Sequence, residues 1–344
     1  MPLIAKHYAN MLIDRQDIED AFQTIGHWLS PTPLIRSRHL SRKLGANIYF
    51  KLETLQPTHS FKVRGAFNAI SRLTEDVRCR GVVTASGGNH GLAIAFAAGA
   101  LRIPATVLLP ATTPVERISA IQALNANVIL HGASWDDTNV EALEIARKKQ
   151  IAYIHPFDNV NVMAGQATIV KELVAQIPRI DLLVASIGGG GLISGLISAV
   201  AAYSPTTRVA GVETEGADSM HRSWRAGHIV ELEAITSIAE TLGARKTEAR
   251  QFAIITQHAW LLCTVSDDQA IDALVDLLAE EKLLTEPATS CSVAAIVEGR
   301  VPVEQDENVV VVLCGANVGL ARIAGWIAQF SERDDASSEV RQPR

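Results

Sequence analysis

Three short stretches of the chain carry residues whose types and spacing could do chemistry: Thr58 to Ala66, Ser86 to Gly91 and Gly188 to Leu192. Lys62 sits among the apolar Phe61, Val63 and Ala66. A partly buried amine gives up its proton more readily and becomes a nucleophile; an exposed helix lysine is the bland alternative. Gly188, Gly189, Gly190 and Gly191 lie between a β-rich and a helical run. Glycines at a strand-to-helix turn let backbone N–H groups converge, and the positive end of the following helix favours a bound anion, so a phosphate fits there. The competing reading is that these glycines only permit close packing. In Ser86-Gly87-Gly88-Asn89-His90-Gly91 the glycines allow a tight loop, and Ser86, Asn89 and His90 place hydrogen-bonding groups at a helix start. That arrangement suits a carboxylate, although a Ser/Asn pair in such a position also serves as a helix cap.

The elements that must hold these groups alternate regularly. Short β-branched runs are predicted at Ile48 to Leu52, Val82 to Ala85, Ala105 to Leu109, Asn127 to Leu130, Ala152 to Ile154, Leu182 to Ile187, Arg208 to Glu213 and Asn308 to Leu313. Helical patterns fall between them, at Asn89 to Leu101, Val115 to Leu124, Trp135 to Lys149, Val160 to Gln176 and Leu192 to Ala202. Such alternation predicts an α/β protein with mostly parallel sheets covered by helices. A first helix is expected from an N-cap at Asp17 to near Leu29, where Pro31 and Pro33 stop it. The uncharged run Leu182 to Thr207 is long enough for a membrane span, yet four central glycines would cost a helix about 1 kcal/mol each. Strand, turn and buried helix is the better reading. The polar tail 331–344 is expected to be disordered.

The 344 residues suffice for two lobes, and a net charge of −6 leaves no cationic excess for nucleic acid. Cys79, Cys263, Cys291 and Cys314 are far apart and show no metal or redox spacing. No apolar leader opens the sequence, so a cytoplasmic protein with no membrane partner is expected. His221, Trp224 and Arg225 lie at helical spacing, a pattern of surface packing.

Taken together, the motifs closely resemble the fold-type II pyridoxal 5'-phosphate (PLP) enzymes, within them the serine/threonine dehydratase branch. The resemblance runs from Asp17 to Gln329 and includes Thr32-Pro33-Leu34, Lys51-Leu52-Glu53, Ser60 to Ala66, Gly88 to Gly91 and Glu286-Pro287-Ala288. It implies two three-layer α/β/α lobes of the tryptophan synthase β-subunit-like class: a large domain from 1–77 and 156–330, a small mobile domain from 78–155, and the cofactor in the cleft between them. It further implies that Lys62 holds PLP as a Schiff base, that Gly188 to Gly191 with Leu192 cradle the phosphate, and that Asn89 bonds the ring 3'-hydroxyl. Phe61 stacks near the ring, Cys314 stands by the pyridine nitrogen, and Ser86, Gly88, Asn89 and His90 grip the substrate carboxylate. A thiol beside that nitrogen, in place of an acid, suits elimination more than transamination.

The implied reaction is α,β-elimination of water from a small β-hydroxy amino acid, Lys62 removing the Cα proton, to give a 2-oxo acid and ammonia. Threonine or serine is the default substrate; phenylserine and 3-hydroxyaspartate are alternatives, as is racemase activity. Several positions depart from the pattern. Gly87 stands where racemases of the family have a serine, which disfavours racemisation. Ser219 replaces the aspartate of metal-activated relatives, leaving Glu213 alone as a candidate cation ligand, divalent or monovalent. His59 replaces a glycine, and Glu240-Thr241 an Asp-Gly pair. Cysteine-synthase-type replacement would need a different lysine segment, and a PLP-binding protein without turnover would not need Lys62 and the Asn89 loop together. Relatives are commonly homodimers.

Overall fold

The computed structural model describes residues 11–329; the tail 331–344 lies outside the described residues. Among the described residues ten strands form two sheets. They are β1 (Leu34–Arg36), β2 (Asn47–Leu52), β3 (Val82–Ala85), β4 (Ala105–Leu109), β5 (Asn127–Leu130), β6 (Ala152–Tyr153), β7 (Leu182–Ser186), β8 (Arg208–Thr214), β9 (Leu261–Val265) and β10 (Asn308–Leu313). The larger sheet has the order β1-β2-β10-β7-β8-β9 and the smaller β5-β4-β3-β6. All pairings are parallel except that of edge strand β1 with β2.

Alternation along the strands explains why the central ones are apolar throughout. In β7 and β10, Leu183, Ala185, Val310 and Val312 point into one core, and Leu182, Val184, Val309 and Val311 into another on the opposite face. A parallel strand covered by helices on both faces has no polar side to present, hence the unbroken Val309-Val310-Val311-Val312-Leu313 run. The smaller sheet repeats this: Val82, Val107 and Leu109 face one cluster, Val83, Ala85 and Leu108 another.

Two features differ from the sequence reading. The first helix is Arg15–Gly26 with Asp14 as its N-cap, and Asp17 lies in its first turn. Asp17 there complements the helix dipole, which a capping signal does not distinguish from sequence alone. Strands β1 and β9 carry no clear sequence signal, β1 because three residues are too few to show a period.

Candidate active site

Two of the three stretches singled out for chemistry leave the C-terminal end of a parallel strand. Ser86 follows β3, Gly188 to Gly191 follow β7, and Cys314 follows β10. Lys62 joins them because its segment is stitched to the end of β10: Phe61 N donates to Cys314 O at 3.0 Å, and Ser60 bridges Gly315. In open α/β sheets this end is where ligands bind, since the following helices point their positive N-termini at it. The helices Lys62–Ser71, Asn89–Leu101, Gly191–Tyr203 and Pro287–Val297 all begin here. The result is a cleft of about 420 Å³ lined by residues following both sheets.

Lys62 opens its helix, and its Nζ donates to Pro156 O at 2.8 Å across the cleft. Burial lowers its pKa to about 8, against the opposing pull of Cys314 and Glu286. The helix itself is held by a buried ionic brace. Arg64 is fully buried and donates through Nε to Glu53 Oε2 at 2.7 Å and through one terminal nitrogen to Glu172 Oε1 at 2.6 Å. Lys51 reaches Glu172 Oε2 at 2.5 Å, which accounts for the Lys51-Leu52-Glu53 and Arg64 motifs as one structural unit.

At the glycine turn the close-packing reading is borne out, and the phosphate reading meets an uncapped helix start. A Cβ on Gly189 would lie 2.2 Å from the Phe157 ring, and Gly190 has φ +92°, so close packing and a left-handed backbone each require glycine. Gly190 is also the N-cap of Gly191–Tyr203, and no side chain caps that helix. Its first N–H groups are therefore available to an anion.

In the asparagine loop, Ser86 Oγ accepts from Gly88 N at 3.3 Å, leaving its hydrogen for a ligand. Asn89 donates to Glu286 Oε1 at 2.8 Å and accepts from Asn317 Nδ2 at 2.6 Å. His90 Nε2 meets Ile154 O at 3.1 Å while Nδ1 has no partner. Burial, with help from Lys62, lowers the His90 pKa to about 3, so the imidazole is neutral. Cys314 lies 3.4 Å from Ser186 Oγ and 3.1 Å from Thr289 Oγ1. Burial pushes its thiol up to about 11, which makes it an uncharged neighbour at neutral pH.

Two other singled-out residues stand apart. Glu213 is buried, and its oxygens accept the N–H groups of Met220 at 3.1 Å and His221 at 2.6 Å at the start of the helix Ser219–Ala226. Among the described residues no three His, Cys, Asp or Glu side chains group to hold a metal ion. His59 is exposed with φ +52°, a backbone conformation that explains why glycine is usual there. Sequence reasoning missed the parts played by Glu286 and Thr241 in the cleft wall. Glu286 stood inside a recognised motif and Thr241 at a recorded departure, but no sequence signal joins positions 45 residues apart.

The described groups fit one cofactor: a depressed amine for an aldehyde, an uncapped helix start for a phosphate, and a neutral thiol for a ring nitrogen. The family model for pyridoxal-phosphate dependent enzymes matches residues 26–315. The chain belongs to the pyridoxal-phosphate dependent enzymes. Within this family it is 36% identical over 312 residues to an L-threonine ammonia-lyase of Thermotoga maritima, covering 91% of this chain and 77% of that one. Among solved structures, the processed threonine deaminase isoform 2 of Solanum lycopersicum superposes with a TM-score of 0.85 at 31% identity, covering 92% and 88% of the two chains. Maize serine racemase gives a TM-score of 0.87 at 28% identity, covering 94% and 99%. The fold is α/β with the cleft between two sheets, and among the described residues no helix is long and apolar enough to cross a membrane.

Proposed function

We propose that this PLP enzyme is a hydroxy-amino-acid dehydratase, eliminating water from a small β-hydroxy amino acid to release a 2-oxo acid and ammonia. Lys62 would hold the cofactor's carbonyl carbon, Gly188 to Gly191 and Leu192 its phosphate, Asn89 its ring hydroxyl, and Cys314 its pyridine nitrogen beside the Phe61 ring. Bound there, PLP supplies an electron sink for the pair left at Cα when its proton departs. Once a substrate amine takes its place, Lys62 Nζ is free to accept that proton, and a pKa near 8 matches the task at neutral pH. Ser86 and the backbone of Gly88, Asn89 and His90 orient the substrate carboxylate at the start of the helix Asn89–Leu101.

The observation that carries elimination over racemisation is Gly87. It has no proton to deliver to the second face of Cα, and a Cβ there would sit 3.0 Å from Thr113 Oγ1, so a serine would need Thr113 to give way. Threonine is the first substrate, in line with the names of the Thermotoga and Solanum relatives, and serine the second. The same reading expects a cytoplasmic homodimer, and the unpaired cysteines fit a reducing compartment. The test is ammonia and 2-oxo acid release from L-threonine, L-serine, phenylserine and 3-hydroxyaspartate. Lys62→Ala is expected to lose turnover and the near-visible cofactor band together; retention of both, or racemised substrate without ammonia, overturns the assignment.

A further inference from the structure

Glu286 is the N-cap of the helix Pro287–Val297, yet its carboxylate makes no capping bond to that helix. Instead Oε1 reaches across the cleft wall, accepting from Asn89 Nδ2 at 2.8 Å and from Thr241 Oγ1 at 2.9 Å, while Oε2 is buried without a partner. Room for this contact is made by Gly315, where a Cβ would lie 2.6 Å from Glu286 Oε1 and 3.0 Å from Asn89 Nδ2. On its other side Asn89 Oδ1 accepts from Asn317 Nδ2 at 2.6 Å, and the same Asn317 nitrogen donates to Thr58 O at 2.8 Å.

These bonds have a fixed direction. The Thr58 carbonyl can only accept, so Asn317 must turn its NH₂ group inward and spend both hydrogens. Asn89 must then present its oxygen to Asn317 and its nitrogen to Glu286, whose carboxylate can only accept. A flipped Asn89 amide would put oxygen against carboxylate and nitrogen against nitrogen. One Asn89 N–H remains uncommitted at the cleft. Thr241 stands where relatives of the branch usually have glycine, and its hydroxyl is what holds Glu286 from the opposite side.

We propose that Glu286, held by Thr241, is the positioning residue that fixes the Asn89 amide so that its one free N–H faces the bound cofactor ring. The proposal rests on the reading in which Asn89 bonds the ring hydroxyl. Thr241 thereby replaces, with a side chain, rigidity that a glycine at this point cannot provide.

The experiment measures the Kd of PLP for cofactor-free protein by fluorescence titration in Asn89→Ala, Glu286→Ala and the double variant, with melting temperature as a control for folding. Asn89→Ala is expected to weaken binding at least tenfold, and Glu286→Ala similarly. Adding Glu286→Ala to Asn89→Ala should cost less than a further twofold, because positioning by the carboxylate runs through that amide and its separate pull on Lys62 is the smaller effect. Thr241→Val should weaken binding severalfold and Thr241→Ser less than twofold, since the serine keeps the donor. Additive losses in the cycle overturn the positioning role. An unchanged Kd in Asn89→Ala instead overturns the cofactor contact on which it rests. If Glu286→Ala does not fold, Thr241→Val against Thr241→Ser, each with and without Asn89→Ala, decides by the same criterion: a Thr241→Val loss that persists in the Asn89→Ala background refutes it.

Discussion

Lys62 is poised by burial rather than by an adjacent base. Its pKa of about 8 in the fold, against an ordinary value of 10.5, means that the unfolded chain binds the proton more tightly between those two pH values. Stability of the cofactor-free protein therefore rises with pH from 8 to 10.5, and below 8 the buried amine carries its full penalty of about 3 kcal/mol. Lys62→Met removes that penalty but leaves Pro156 O without its donor, which takes back about 1 kcal/mol. The variant is expected to be more stable than the parent by about 2 kcal/mol at pH 7, and the difference should fall through zero and reverse to about 1 kcal/mol in the parent's favour above pH 10.5, where only the lost bond to Pro156 O remains. Denaturant unfolding of both apoproteins across this range checks it; a constant difference would show that Lys62 is not desolvated. The same amine governs loading, so the rate of reconstitution with PLP should climb with pH through a midpoint near 8.

At the scale of elements, the site depends on one helix and one turn being held without tolerance. Arg64, Glu53, Glu172 and Lys51 anchor the helix bearing Lys62 to β2 and to the helix Val160–Gln176. Removing one member of a fully buried ionic group strands the remaining charges, so Arg64→Ala is expected to lose about 3 to 5 kcal/mol in chemical unfolding. At the turn, Gly189→Ala would drive a methyl into the Phe157 ring. Overpacking of this kind costs about 1 to 3 kcal/mol, and it shifts the N–H groups offered to the phosphate. A melting temperature drop accompanied by at least tenfold weaker PLP binding is the expected result. A drop in stability at unchanged Kd would show that these glycines serve packing alone.

For the whole molecule, the informative contacts are those that cross the cleft mouth. Arg117, on the helix Val115–Gln122, meets Glu240 at 3.1 Å, and Glu240 also holds Arg322 at 3.0 Å. Asp136, on the helix Trp135–Lys149, meets Arg245 at 2.9 Å. Both pairs join the smaller sheet's helices to the segment between β8 and β9. We propose that they latch the smaller unit over bound substrate, keeping water out until elimination is complete. Pairs this exposed are weak and screened by salt, so the effect on closure is roughly tenfold at most. The expected outcome is a KM that rises severalfold with sodium chloride in the parent and is already high and salt-insensitive in Arg117→Gln/Asp136→Asn. A parent KM independent of salt counts against the latch.

The regular part of this protein was legible in its sequence because strand burial on both faces, glycine geometry and the apolar setting of Lys62 are local properties. Strands β3, β4, β5 and β10 match their predicted ranges residue for residue, since Gly, Pro or Asn punctuates them and nothing distant competes. The chemistry of the motif segments was legible for the same reason: an amine, a glycine turn and an amide loop each declare a capability within a few residues. What only the tertiary structure decided is how those capabilities meet. The Asn89–Glu286–Thr241 contact joins residues up to 197 positions apart. The Arg64 brace spans 121, from Lys51 to Glu172. Both depend on which strand ends are adjacent in the sheets. Sheet order sets those neighbours, and sheet order is the outcome of packing the whole chain, which no stretch of it encodes alone.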